Sequence, residues 1–324
     1  MTIEEYRSNI EWVLRNCKFR DCDSLETKKA VLNKVECGEL FIRLFQYRKV
    51  DDAVVNGLKY GTIYFTSPIR FNDPYDSLLR WDKQQIDECI NNPKYGKVLA
   101  QHFIFDSDTL AVSIRNRFRI SCFSEVADSP LMWAHYADNG KGFCVEYELP
   151  ICIGSPLCLK NGQPCEGGKN CSPLDCRMYS KCSLAPVIYD AQRLDTTATM
   201  KHEIECAVAH ELGEKYDLSS HDWLEPYRTA LFKAKDWAYE KEWRLILSDH
   251  KLRGNQDCVY PHDRLLRVIL GPNMNPLDEY NVSKATEIYA KNSKHDVELA
   301  KTYVDLQCSD YKFSIRRERI LRGI

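Results

Sequence analysis

The residues best equipped for chemistry lie late in the chain, in the run Tyr239-Glu240-Lys241-Glu242-Trp243-Arg244-Leu245-Ile246-Leu247. Read as a strand, its period of two sends Trp243, Leu245 and Leu247 to one face and Glu240, Glu242 and Arg244 to the other. Two neighbouring carboxylates raise one another's pKa while the guanidinium lowers them, which suits a site that stabilises developing positive charge. The same run also reads as a solvated edge strand carrying an ion pair, because charge on a surface is the ordinary case. A second candidate joins Ser121-Cys122-Phe123-Ser124-Glu125 to Leu131-Met132-Trp133-Ala134-His135-Tyr136 and the turn Ala137-Asp138-Asn139-Gly140-Lys141-Gly142. Trp133, His135 and Tyr136 would give a ligand an aromatic wall with polar tips. As structure alone, Met132, Trp133 and Tyr136 form a helical core stripe, and His135 is an ordinary hydrogen-bonding side chain. Phosphate-binding glycine loops, HExxH zinc motifs and a Ser-His-Asp order are absent.

Two cation-binding readings accompany these. Asp73 and Asp76 in FNDPYD, with the late glutamates, offer hard oxygen ligands for a magnesium-dependent nuclease. In the same segment Asn72 and Asp73 precede Pro74 and should build a side-chain-capped turn. Six of the 15 cysteines, Cys152, Cys158, Cys165, Cys171, Cys176 and Cys182, crowd one stretch rich in Gly, Pro and Lys, with no CxxC pair among them. Zinc knuckles use tighter spacing, so the stretch reads first as an inserted, reduced loop and second as a structural metal knot.

The elements that must hold these residues follow from periodicity. Ile3, Tyr6, Ile10, Val13 and Leu14 mark an N-terminal helix, and a second short helix runs from Ser24 to Gly38. FIRLFQYR, TIYFTS, RFRISCFS, GFCVEYEL, VIYD, EKEWRLIL, RLLRVILG and YKFSI read as strands, with YKFSI preceding a basic tail. In GFCVEYEL, Phe143, Val145, Tyr147 and Leu149 alternate with Cys144, Glu146 and Glu148. Asp51 caps a helix over DDAVVNGLKY that Gly61 stops, and further helices cover 200–215, 223–233 and LDEYNVSKATEIYAKNS. The expected fold is therefore α+β and sheet-dominated, a single core over 39–324, with a helical N-terminal extension over 1–38 and a cysteine-rich insertion over 151–183.

Composition limits the function classes. The chain has 324 residues, 44% of them hydrophobic, and 45 basic against 47 acidic side chains give a net charge of −2. Such balance provides no general nucleic-acid-binding surface and no pull toward an anionic membrane. No run reaches the roughly 18 apolar residues of a membrane span, and the acidic start MTIEEYRSNIEW is unlike a signal peptide, so a cytoplasmic protein is expected.

Tyr47-Arg48, TIYFTSPIRFNDPYDS, SCFSE, LMWAHYADNGKGF, VIYD, Trp237 with EKEWRLIL, and VILGP together resemble the bacterial family known as domain of unknown function 2971, some of whose members are abortive-infection proteins. A more distant similarity is to ADP-ribosyltransferases of the Arg-Ser-Glu type, carried by Arg48, Ser124 and the pair Glu240 and Glu242. Ser121-Cys122-Phe123-Ser124 stands where that family has a Ser-Thr-Ser triplet. That resemblance implies an ADP-ribosyltransferase-like fold, with NAD held by Arg48 and Ser124 orienting the last glutamate. Trp133, His135 and Tyr136 would complete the cofactor pocket, with Glu242, supported by Glu240, as the catalytic carboxylate. It implies an NAD-using toxin or effector of anti-phage defence acting on an acceptor that the residues do not specify. The competing expectation is a non-catalytic ligand or partner sensor in which EKEWR is an internal ion-pair network.

Overall fold

The computed structural model describes residues 1–16, 40–93, 95–151, 155–158, 179–214, 225–248, 259–261, 264–307 and 309–323. Through the first half run α1 (Ile3–Asn16), β1 (Phe41–Arg48), α2 (Asp52–Lys59), β2 (Thr62–Tyr64), α3 (Lys83–Ile90), α4 (Gly96–Gln101), α5 (Ser107–Arg115), β3 (Phe118–Ser124) and α6 (Pro130–Tyr136). Next come β4 (Phe143–Pro150), β5 (Ser155–Cys158), β6 (Tyr179–Pro186), β7 (Ile188–Asp190), α7 (Thr197–Leu212), α8 (Glu225–Leu231) and β8 (Phe232–Ala234). A 3-10 helix (Lys235–Glu240) leads into β9 (Glu242–Ser248), followed by β10 (Val259–Pro261), β11 (Leu265–Leu270), α9 (Pro276–Ser293), β12 (Val297–Val304) and β13 (Phe313–Leu321). Nine strands form one sheet in the order β13-β12-β11-β4-β1-β3-β9-β6-β5, all neighbours antiparallel except the β11–β12 pair that α9 connects. The fold is thus α+β with a large mixed sheet. Among the described residues no helix is long and apolar enough to cross a membrane.

Local chemistry starts the elements where the sequence says it should. Asp51 accepts the Val54 amide at 2.8 Å and opens α2, while Gly61, at φ +60°, takes the left-handed turn that ends it. Ser129 and Pro130 open α6, and Asn275 and Pro276 open α9. The turn after α6 carries three consecutive left-handed residues, Asp138, Asn139 and Gly140, and lies directly on the end of β11. Gly271 donates to the Gly142 carbonyl at 2.9 Å, and a Cβ on Gly271 would sit 2.2 Å from the Gly140 oxygen. That approach physically joins the ADNGKG and VILGP segments.

One seam interrupts the sheet. β1 is registered with β4 through eight pairs, from Phe41↔Pro150 to Arg48↔Phe143, yet touches β3 through the single pair Phe45↔Ser124. Beyond that pair the strands diverge, and Ile120 of β3 bonds Thr66 in place of β1. The Gln46 amide spans the gap, donating to Ser121 Oγ at 2.7 Å and to the Cys122 carbonyl at 3.3 Å. A partly buried carbonyl left by the divergence is thereby satisfied.

Several expectations are corrected. β9 is an interior strand between β3 and β6, so the solvated-edge reading fails. Lys241 takes a left-handed φ of +44°, so Glu240 ends the 3-10 helix and does not share the strand alternation of Glu242 and Arg244. The alternation in β4 does not separate core from solvent, because the strand is central and Cys144 and Glu146 are buried as fully as Val145. The basic tail is itself strand, since β13 extends to Leu321. The helix expected from Ser24 lies outside the described residues, as do Cys152, Cys165, Cys171 and Cys176.

The N-terminal helix is sealed onto the sheet. Tyr6 stacks on Trp243 with centroids 6.1 Å apart and donates its hydroxyl to the Leu184 carbonyl at 3.2 Å, and Arg228 Nε reaches the Leu14 carbonyl at 2.7 Å. Tyr6→Ala is therefore expected to lower unfolding free energy by about 3–5 kcal/mol in denaturant titration, and Tyr6→Phe by only about 1 kcal/mol.

Candidate functional site

The diverging ends of β1 and β3 enclose a cavity of about 560 Å³. β1 supplies Phe45 to Arg48, β3 supplies Ile120 to Ser124, and the segment after β2 supplies Thr66, Arg70, Phe71, Asn72 and Asp76. α6 contributes Met132, His135 and Tyr136, and the β8–β9 region contributes Lys233, Glu240 and Glu242.

Its floor is a buried charge network. Arg244, with 0% exposure, donates through Nη1 and Nη2 to the two oxygens of Asp76 at 2.8 and 2.5 Å, and through Nε to Glu242 Oε1 at 2.8 Å. Nη2 also reaches Glu242 Oε2 at 3.1 Å, and Nη1 reaches the Ala230 carbonyl at 2.6 Å and Ser77 Oγ at 3.2 Å. Lys233 Nζ lies 2.6 Å from Glu240 Oε2 and 3.0 Å from Glu242 Oε2. Tyr136 donates its hydroxyl to Glu240 Oε1 at 2.5 Å. Two cations thus face three carboxylates, and one negative charge is left over.

The environment separates the two glutamates. Burial alone would raise Glu242, but Arg244 and Lys233 overcome it and hold that carboxyl below the usual carboxylate range. Burial and the charge of Glu242 raise Glu240, and Lys233 and Tyr136 offset this only in part. Burial would lower Lys233, yet Glu242, Glu240 and Asp76 keep it protonated well above the ordinary lysine value. Burial, then Glu240, pushes the Tyr136 hydroxyl up, so it remains a donor. Burial and Glu242 likewise raise the Cys122 thiol, which removes it as a thiolate nucleophile.

The cavity's other end differs. Arg48 donates to Gln46 Oε1 at 2.6 Å, and no carboxylate lies within ion-pairing distance of it among the described residues. Burial presses its pKa down, with Tyr147 and Asp51 opposing. Arg48 and Tyr64 also line an adjoining cavity of about 350 Å³ beside α2, with Ala53, Val54 and Leu58. Outside the floor, His135 packs with Trp237 and Tyr239 at centroid separations of 6.4 Å each, and Lys233 lies 5.0 Å from the Trp237 ring centroid.

The structure gathers Arg48, Ser124, His135, Tyr136, Glu240 and Glu242 around one cavity. Trp133 is a correction. It is buried beneath α6, donates Nε1 to the Ala127 carbonyl at 2.8 Å and meets Tyr47 edge-on at 5.2 Å, so it supports the wall without lining it. Ser124 does not touch a glutamate side chain; its hydroxyl donates to the Glu240 carbonyl at 2.6 Å and fixes the backbone that aims that carboxylate. Asp73 accepts the Tyr75 amide at 2.8 Å, so it alone builds the side-chain-capped turn expected of Asn72 and Asp73, while the Asn72 amide faces the Tyr136 hydroxyl at 3.5 Å. The magnesium reading loses its ligands, because Asp76 and Glu242 are already held by Arg244 and Lys233 while Asp73 serves its own turn. Sequence reasoning missed Lys233, Gln46 and Tyr189, whose hydroxyl accepts the Glu242 amide at 2.8 Å. The available signal for Lys233 was a lone cation in the apolar run Ala230-Leu231-Phe232-Lys233-Ala234.

Comparison with known proteins adds one match. The model of the family described as Protein of unknown function (DUF2971) matches residues 132–245. That segment is similar to the family. It begins inside α6 and ends inside β9, so it holds Tyr136, Lys233, Glu240, Glu242 and Arg244, while Arg48, Asp76 and Ser124 lie before it. No curated protein and no solved structure matches the chain.

Arg244→Met should strand Asp76 and Glu242 in the interior with Lys233 as the remaining cation of the network. The expected loss is about 3–5 kcal/mol by chemical denaturation, with Arg244→Lys also destabilising because an ammonium cannot form the planar fork.

Proposed function

We propose that the cavity binds a dinucleotide of the NAD type and that the protein is an ADP-ribosyltransferase-like enzyme. The single observation that carries this reading is Arg48, a half-buried guanidinium without a carboxylate partner among the described residues, at the junction of two cavities. A desolvated cation between two pockets suits a ligand with a central anion and a ring system at either end, which is the plan of a dinucleotide. The floor suits the chemistry. As the bond between ribose C1′ and nicotinamide nitrogen breaks, the electron pair leaves with nicotinamide and positive charge builds on the sugar, where a fixed carboxylate in a water-poor cleft lowers the barrier. The acceptor then adds through a nucleophile that releases its proton.

Glu240 is the better carboxylate for that role. Both Glu242 oxygens are engaged by Arg244 or Lys233, whereas Glu240 Oε1 is held by a tyrosine hydroxyl, a partner that a ribose hydroxyl can replace. Glu242 and Lys233 then act as positioning residues, and Ser124 fixes the Glu240 backbone. The setting of an effector in abortive infection rests on the family resemblance. A second reading, a ligand sensor that consumes nothing, is favoured by that same engagement of Glu242.

Glu240→Gln should cut nicotinamide release about 100-fold or more while NAD affinity and melting temperature barely change. Arg48→Ala should instead weaken NAD binding in calorimetry. The rate should fall as pH drops through the raised Glu240 pKa, above the range of an ordinary carboxylate, because only its ionised form faces the sugar cation. Binding of NAD without nicotinamide release in any form, across a panel of acceptors, would leave the sensor reading; absence of binding would remove both NAD readings.

A further inference from the structure

A second group of chemistry-bearing side chains lies away from the cavity, where α4 meets α7. His102 follows the last residue of α4, and His210 and Glu211 lie in the final turn of α7. One donor atom from each falls within 4.8 Å of the others. His102 Nε2 is 2.9 Å from Glu211 Oε1, and His210 Nδ1 is 3.3 Å from the same oxygen. A tetrahedral ion with ligands at about 2.0–2.1 Å brings its donor atoms to about 3.3 Å from one another, so these separations are those of a closing coordination shell.

The state of His102 is the second observation. Its Nε2 is shut off from solvent, and despite lying beside the carboxylate it is not aligned to make a hydrogen bond with it. A buried ring nitrogen without an aligned partner is costly. A cation placed between Nε2 and the carboxylate would satisfy both. His210 is 79% exposed and Glu211 30% exposed at their side chains, which gives the shell freedom to close and leaves a further position open to water. Two imidazoles and one carboxylate match the preferences of zinc and not those of magnesium or calcium.

We infer that His102, His210 and Glu211 bind one divalent transition-metal ion, zinc by preference, and that the ion pins α4 to α7. The three residues line neither cavity, so the inference is independent of the NAD reading. The pin would fasten the layer of short helices, α3, α4 and α5, that packs on α7. These helices lack the length to be stable alone, which is where an ion adds most.

The test uses the full chain, stripped with EDTA and titrated with zinc chloride, with bound metal counted by elemental analysis. Because the cysteine-rich segment is a separate potential zinc ligand, the decisive quantity is the difference between proteins. His102→Ala and His210→Ala should each bind one equivalent fewer than the parent and lose the zinc-dependent rise in melting temperature. Glu211→Gln should weaken the site by more than about tenfold, and His295→Ala, just past the C-terminal end of α9, should change nothing. With cobalt as probe, the histidine variants should lose a signal without thiolate charge transfer. Variants that fold in EDTA yet retain the parent's stoichiometry and zinc stabilisation would overturn the site. So would a parent whose melting temperature zinc does not move.

Discussion

Arg244 is the contact on which the interior depends. From the middle of β9 its guanidinium binds Asp76 in the turn after β2, Glu242 two residues back on its own strand, and the Ala230 carbonyl at the end of α8. Asp76, distant in sequence, is thus held to the same planar fork as two groups close to Arg244 along the chain. No apolar residue could replace it without leaving Asp76 and Glu242 to repel each other in a medium that cannot screen them. The network is a device of position more than of stability, because the desolvation of five charged groups offsets much of their mutual attraction.

That position creates an asymmetry between chemically identical groups. Glu242 is held by two cations and remains ionised far into acid. Glu240, one left-handed residue away, shares only Lys233 and a tyrosine and is drawn upward. The separation depends on Lys241 turning the chain at φ +44°, which moves Glu240 off the strand and onto the end of a 3-10 helix. Environment, and not residue type, assigns different work to the two carboxylates.

Much of this was legible in the sequence, for identifiable reasons. β1, β3 and β4 carry β-branched and aromatic residues between clear turn signals, α2 announces itself by Asp51, and α9 by its long helical pattern over LDEYNVSKATEIYAKNS. Six residues that line the cavity, Arg48, Ser124, His135, Tyr136, Glu240 and Glu242, were named as site residues, whereas Phe45, Gln46, Arg70 and Lys233 were not. The helices over 83–115 were not read, since Ile86 and Ile90 give α3 only one apolar pair at helical spacing. β12 was missed because its alternation follows a long helical pattern after a short turn. Burial was the least visible property. A period of two shows that Glu242 and Arg244 share a face, but whether that face meets water depends on β6 and β3 lying to either side, which is a matter of topology. Lys233 was overlooked for the same reason, as its apolar neighbours hint at burial but do not show which carboxylates it meets inside the protein.

The single-pair junction of Phe45 and Ser124 has a mechanical consequence. Five strands on one side of it and four on the other are each paired in succession, with register shifts only in the β11–β4 and β12–β13 ladders, so the sheet amounts to two plates joined by one backbone rung and by the side chain of Gln46. A molecule lodged between Arg48 on the first plate and Glu240 beside the second would serve as both wedge and splint. Its presence would set the angle between the plates and be felt at their outer strands, β13 and β5, and at α6, which packs on β1 while its Tyr136 holds Glu240.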